Sequence, residues 1–333
     1  KTQYEKVYRQ LRELKALARG AQVKDLVLKR DVATITLSEG QLFLCPAIDG
    51  FNCAAVFKGK GNIVFVPSSK VERQQIARFY LSDSINREFS ELFLLFADGT
   101  WDELDRKLKF GPLAVPEDFG PVIEEGINYL TYNSVLKGDY CDPEIMKTLL
   151  EGRPNGLFYA HVKGPGYKTP EMFEIDPYSF EEVKFYKPVK EIIMAGYSRD
   201  LISQFHWQAD SLGAGKDVRE PASILSYQLD CRVSGEKRID VACRMEVKSN
   251  LDHNQWLYFY LASGYDTDVE IDSLILPAGQ KPEFYKGKET STFWVKAPKA
   301  LSLVQVCTLN VFYHGNIMEH FKNWVYIKAS AGW

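Results

Sequence analysis

Gln41-Leu-Phe-Leu-Cys-Pro46, Ala54-Ala-Val-Phe57 and Ile63-Val-Phe-Val66 are three short apolar runs, and the fold turns on how they are read. Ile48-Asp-Gly-Phe-Asn52 joins the first to the second, and Lys58-Gly-Lys-Gly-Asn62 stands before the third. Apolar runs of four to six residues bounded by Gly, Asp and Asn read as buried strands, with Lys58–Asn62 as a turn. Pro67 ends the last strand, and Ser69-Lys-Val-Glu72 has the spacing of a capping box. Ile76, Phe79 and Tyr80 then share one face of a helix that can lie on the sheet. The stretch holds no His and no acid pair, so it is a folding nucleus and not an active site.

Before it, residues 4–19 form an amphipathic pattern with Val7, Leu11, Leu14 and Leu17 on one stripe and Gly20 as the stop. Leu26-Val-Leu28 and Val32–Leu37 read as strands. After it, Glu91–Phe96 is a buried strand, Asp98-Gly99 turns it, and Thr100-Trp-Asp-Glu103 repeats the capping-box spacing. Residues 121–150 read as helical, with Asp142 and Pro143 opening a helix that Gly152 closes. Strands return at 157–162 and 172–175. Ala55-Val-Phe-Lys-Gly-Lys-Gly61 and Ala160-His-Val-Lys-Gly-Pro-Gly166 echo each other, either as a duplicated half-domain or as two ordinary Gly-rich hairpins.

Character changes after Tyr197. Asp210-Ser-Leu-Gly-Ala-Gly-Lys-Asp217 is small and polar, the best linker, and it lacks the residues of a phosphate-binding loop. From Ile224 to Tyr313 nearly everything reads as strand (224–233, 239–247, 256–261, 269–276, 292–295 and 301–312), the density of a β-sandwich. The expectation is an α+β domain of antiparallel sheets with packed helices over 1–205, a linker over 206–220, and an all-β sandwich over 221–333.

At 333 residues, two domains is the natural division. A net charge of −3 and a pI near 6.1 argue against nucleic-acid binding through a basic surface. No apolar run reaches the ~18 residues that span a bilayer. The six Cys form no C-x-x-C, and none of the five His is followed by Glu, so H-E-x-x-H is absent. No G-x-S-x-G exists, and Glu124-Glu125 and Glu181-Glu182 read as solvated charge. If Val233 pairs with Ile239, Cys231 faces Val241 and Cys243 faces Leu229, as core thiols. A turn centred on Asp49 would bring Cys45 opposite Cys53, the placement a disulfide needs, but nothing fixes that register. Catalytic and metal-ligating residues are therefore expected to be none.

One strand is less ordinary. In Gln255-Trp-Leu-Tyr-Phe-Tyr-Leu261, alternation puts Trp256, Tyr258 and Tyr260 on one face and Leu257, Phe259 and Leu261 on the other. Such an aromatic row packs against a neighbouring domain, belongs to the core, or stacks a ligand such as a sugar.

With these residues laid out, the chain resembles the non-catalytic N-terminal portion of a bacterial aminopeptidase-N-like (gluzincin) zinc metallopeptidase, in a subgroup with an extra N-terminal domain. The likeness rests on Leu26-Val-Leu-Lys-Arg-Asp31, Ala55-Val-Phe-Lys-Gly-Lys-Gly61, Pro67 with Val71-Glu-Arg73, Phe89-Ser-Glu-Leu92, Asp98-Gly-Thr100, and Asp176-Pro177 with Glu181-Glu-Val183. It departs from the subgroup at Phe51-Asn-Cys-Ala54, where a Gly is common. It covers roughly residues 20–200 and is looser from 220 on, where the family places a saddle-like sandwich. It carries over no zinc-binding or catalytic residue. What it implies is a role in packing against, and shaping access to, a catalytic domain of the same polypeptide that would hold the zinc. It also implies a periplasmic or extracellular location. The competing reading is a self-sufficient extracellular module that binds peptide or glycan along the aromatic strand.

Overall fold

The computed structural model describes residues 1–131, 141–190, 197–207, 220–261, 269–287, 292–322 and 324–327. Chain contacts divide the protein into two units, one of Lys6–Val135 and Glu144–Arg219, the other of Lys1–Glu5, Leu136–Pro143 and Glu220–Trp333. Most of the expected linker, 208–219, lies outside the described residues.

The first unit is α+β. Helix α1 (Gln3–Arg12), of which Gln3–Glu5 belong to the other unit, leads in, followed by β1 (Arg19–Arg30), β2 (Ala33–Leu44), β3 (Ala54–Phe65), α2 (Lys70–Tyr80), β4 (Ile85–Phe96) and α3 (Thr100–Lys107). Next come β5 (Gly111–Pro112), α4 (Phe119–Thr131), α5 (Pro143–Glu151), β6 (Phe158–Lys163), β7 (Glu171–Ile175), β8 (Val183–Lys190) and β9 (Tyr197–Phe205). The strands form one antiparallel sheet of order β5-β1-β2-β3-β4-β6-β7-β8-β9. Its two faces are both apolar. On one, Phe65 of β3 meets Phe173 of β7 and Phe185 of β8 at 5.9 and 5.2 Å, so the sheet curls around its own core. On the other, Phe43 packs edge-on against Phe119 of α4 at 4.8 Å.

Several expectations need correction here. The helix expected over 4–19 ends at Arg12, because the Leu17 amide donates to the Leu44 carbonyl at 2.8 Å and the chain joins the sheet. Gly20 is a strand residue: a Cβ there would sit 2.7 Å from the Phe43 ring. Lys58–Asn62 is not a turn. It runs inside β3, where Gly40 and Gly59 face each other at an irregularity in the β2–β3 register. A Cβ on Gly59 would lie 2.1 Å from the Glu39 carbonyl oxygen, so glycine serves close backbone approach here. The echo at Lys163–Gly166, by contrast, does lead into a turn. Both Glu-bearing caps behave differently from a capping box. Ser69 Oγ accepts from the Val71 amide, while Glu72 reaches Ser203 Oγ on β9 at 2.6 Å. Glu182, read as solvated, is fully buried and accepts from the Trp207 amide at 3.0 Å.

Cys45 and Cys53 are buried free thiols. Leu44 pairs with Ala55 and the Cys45 amide donates to the Ala54 carbonyl, so the register is one residue off the one a disulfide needs. Burial pushes both thiols up, Cys53 to about 12.

The second unit is a β-sandwich. Its strands are β10 (Ala222–Ser234), β11 (Arg238–Ser249), β12 (Asn254–Tyr260), β13 (Val269–Ile275), β14 (Glu283–Lys286), β15 (Thr292–Leu301) and β16 (Val306–Gly315). They form a four-stranded sheet β10-β11-β16-β13 and a three-stranded sheet β12-β15-β14, with a small ribbon of β17 (Met318–Phe321) and β18 (Trp324–Ile327). The core between the sheets holds Val241, Met245, Leu257, Phe259, Val295 and Val311. The expected register holds: Val233 pairs with Ile239, Cys231 with Val241 and Leu229 with Cys243. The expectation of core thiols does not hold for Cys231, which is exposed, while Cys243 is half-buried.

Candidate functional site

Alternation along β12 gives its two faces different fates. Leu257 and Phe259 enter the sandwich core. On the opposite face, Trp256 is 1% exposed and Tyr260 65% exposed, with Tyr258 between them. Tyr258 lies 5.0 Å from Trp294 of β15 and 6.1 Å from Tyr260. Residues 3 and 4, part of the same unit, cover this face. Tyr4 stacks on Tyr285 at 4.1 Å and tilts onto Trp294 at 5.5 Å, and Lys296 donates to the Gln3 side-chain oxygen at 2.6 Å. The Gln3 amide donates to Glu283. Lys296 also sits 5.7 Å from the Trp256 ring centre. Of the three expected residues, then, only Tyr260 is exposed.

Beside Tyr260 lies a slot that sequence reasoning missed. Strand β10 pairs with β11, and among the described residues no strand of the three-stranded sheet covers it. Tyr227 is therefore 66% exposed while its cross-strand partner Met245 is 6% exposed. The space left measures about 410 Å³. Its floor is Cys243, Met245, Val311 and Tyr313, and its wall is Phe259 stacked on Phe293 at 5.2 Å. Tyr227 and Tyr260 also line it. Burial pushes the Tyr313 phenol up to about 12 and raises the Cys243 thiol, so both stay neutral near pH 7. The only hint in the sequence was the apolar alternation of β10, a strand that the structure leaves half-covered.

In the first unit, buried charge gathers at β7. Glu171 Oε1 lies 3.4 Å from Lys187 and 3.7 Å from Arg87. Lys187 sits 4.3 Å over the Tyr80 ring and Arg87 4.3 Å over Tyr167. Burial, then the Glu171 charge, pushes both phenols above their ordinary range. On the strand's other face, Lys184 bonds Asp176 at 2.9 Å and the Tyr186 phenol donates to Glu174 at 2.7 Å. Burial raises Asp176 to about 6, against the pull of Lys184. Cation and carboxylate are matched throughout, which suits structure better than proton transfer.

Among the described residues no group of three or more His, Cys, Asp or Glu side chains is placed to hold a metal, so they offer zinc no ligand set. No helix among them is long and apolar enough to cross a membrane.

No family model matches the sequence, and no curated protein matches it. Solved structures do. An M1 zinc metallopeptidase mutant from Deinococcus radiodurans aligns at TM-score 0.25 and 15% identity over 29% of this chain and 21% of that one. The same mutant bound to a Tyr-Ser-Ala substrate aligns at 0.26 and 14%, over 32% and 23%. This chain thus spans about a quarter or less of those peptidases, and a likeness this slight assigns no role to any of its residues.

Proposed function

We propose that this chain is a non-catalytic, N-terminal portion of an aminopeptidase-like zinc metallopeptidase, packing against a catalytic domain of the same polypeptide and shaping access to its cleft. The observation that carries the reading is the use to which the motif residues are put. Arg30, from Leu26–Asp31, bonds Thr100 at 2.7 Å and Glu103 at 2.9 Å and forms an ion pair with Asp98 at 2.6 Å, so two of the resembling stretches close on each other. Its guanidinium lies 5.0 Å from the Phe158 ring. Burial pushes Glu103 up, but Lys107 and Arg30 outweigh it and hold the carboxyl below its usual range. Motifs spent on internal ion pairs belong to a scaffold.

A scaffold needs a contact surface, and the β15–β16 connection is suited to be one. Leu303 and Val304 are exposed, and Val304 adopts φ 59°, a left-handed conformation that a β-branched residue rarely accepts. The Val304 amide donates to Ser249 at 2.9 Å, which fixes the tip. Strain at an exposed apolar tip is a mark of a binding loop. In this reading zinc and the reacting groups belong to the catalytic domain, and the protein is exported, which fractionation of the source cells tests.

The reading frame beyond Trp333 is the direct test. H-E-x-x-H with a downstream Glu supports the proposal, and a stop codon close behind Trp333 overturns it. In the full polypeptide, Leu303→Asp is expected to lower kcat/KM for aminoacyl substrates severalfold without changing the thermal midpoint of residues 1–333. The module reading keeps less support, because Trp256 is buried and Tyr4 covers Trp294 beside Tyr258.

A further inference from the structure

We draw no further inference here: the strongest candidate, the half-covered apolar slot under edge strand β10 of the sandwich, borders residues outside those described, and nothing in the structure shows what covers it.

Discussion

His161 shows how much one side chain can decide. It stands fully buried on β6, with the Tyr129 ring stacked at 5.6 Å and Glu125 of α4 at 3.9 Å from Nε2. Burial first, and then the Lys163 charge, lowers its pKa from 6.5 to about 3. Between those values the unfolded chain binds a proton that the folded chain refuses. Stability is therefore expected to be intact above pH 6.5 and to fall as pH drops toward 3, at up to about 1.4 kcal/mol per pH unit. Urea titrations from pH 7 to 4 check this: His161→Leu should flatten the slope, and an unchanged slope would acquit the histidine. Val304 offers the opposite case. Its φ of 59° suits glycine, so Val304→Gly is expected to stabilise the isolated chain by up to about 1 kcal/mol, read from the denaturation midpoint.

At the scale of elements, Arg30 ties the end of β1 to the start of α3 through Asp98, Thr100 and Glu103. Removing a largely buried cation strips Asp98 of its ion pair and leaves Glu103 to Lys107 alone, so Arg30→Ala is expected to cost about 3 kcal/mol in chemical denaturation, with a partial return in Arg30→Lys. Gly59→Ala is expected to cost more, since the added Cβ meets backbone, which cannot rotate away. These glycines also explain what the sequence hid. Apolar runs marked most strands, and the β10–β11 register followed from matching two alternating faces. Whether Lys58–Asn62 turned or continued depended on the backbone of β2 beside it, which no local pattern records. The helix after Tyr4 ended early for the same kind of reason, the end of β2 competing for the amides that would have continued it. The candidate site was legible only in part. The alternation of β12 located its aromatics, but the slot exists because, among the described residues, the second sheet has one strand fewer than the first.

At the scale of the molecule, the beginning of the chain belongs with its end. Gln3 and Tyr4 close over strands β14 and β15, with the Gln3–Lys296 bond spanning 293 residues of sequence. No sequence pattern announces such a contact, and its loop-closure entropy makes it late to form. Tyr4 is 2% exposed and roofs Trp294, so Tyr4→Ala removes a buried aromatic from the sandwich unit. The expected cost is about 3 kcal/mol, the low end for truncating such a side chain. Water reaching Trp294 should shift tryptophan emission to the red. The distinguishing measurement is kinetic: if closure comes after the folding barrier, Tyr4→Ala should accelerate unfolding while leaving the refolding rate nearly unchanged. A refolding rate that falls with the full loss of stability would place the N-terminus in the nucleus instead. The sandwich would then be unable to form until both ends of the chain had met.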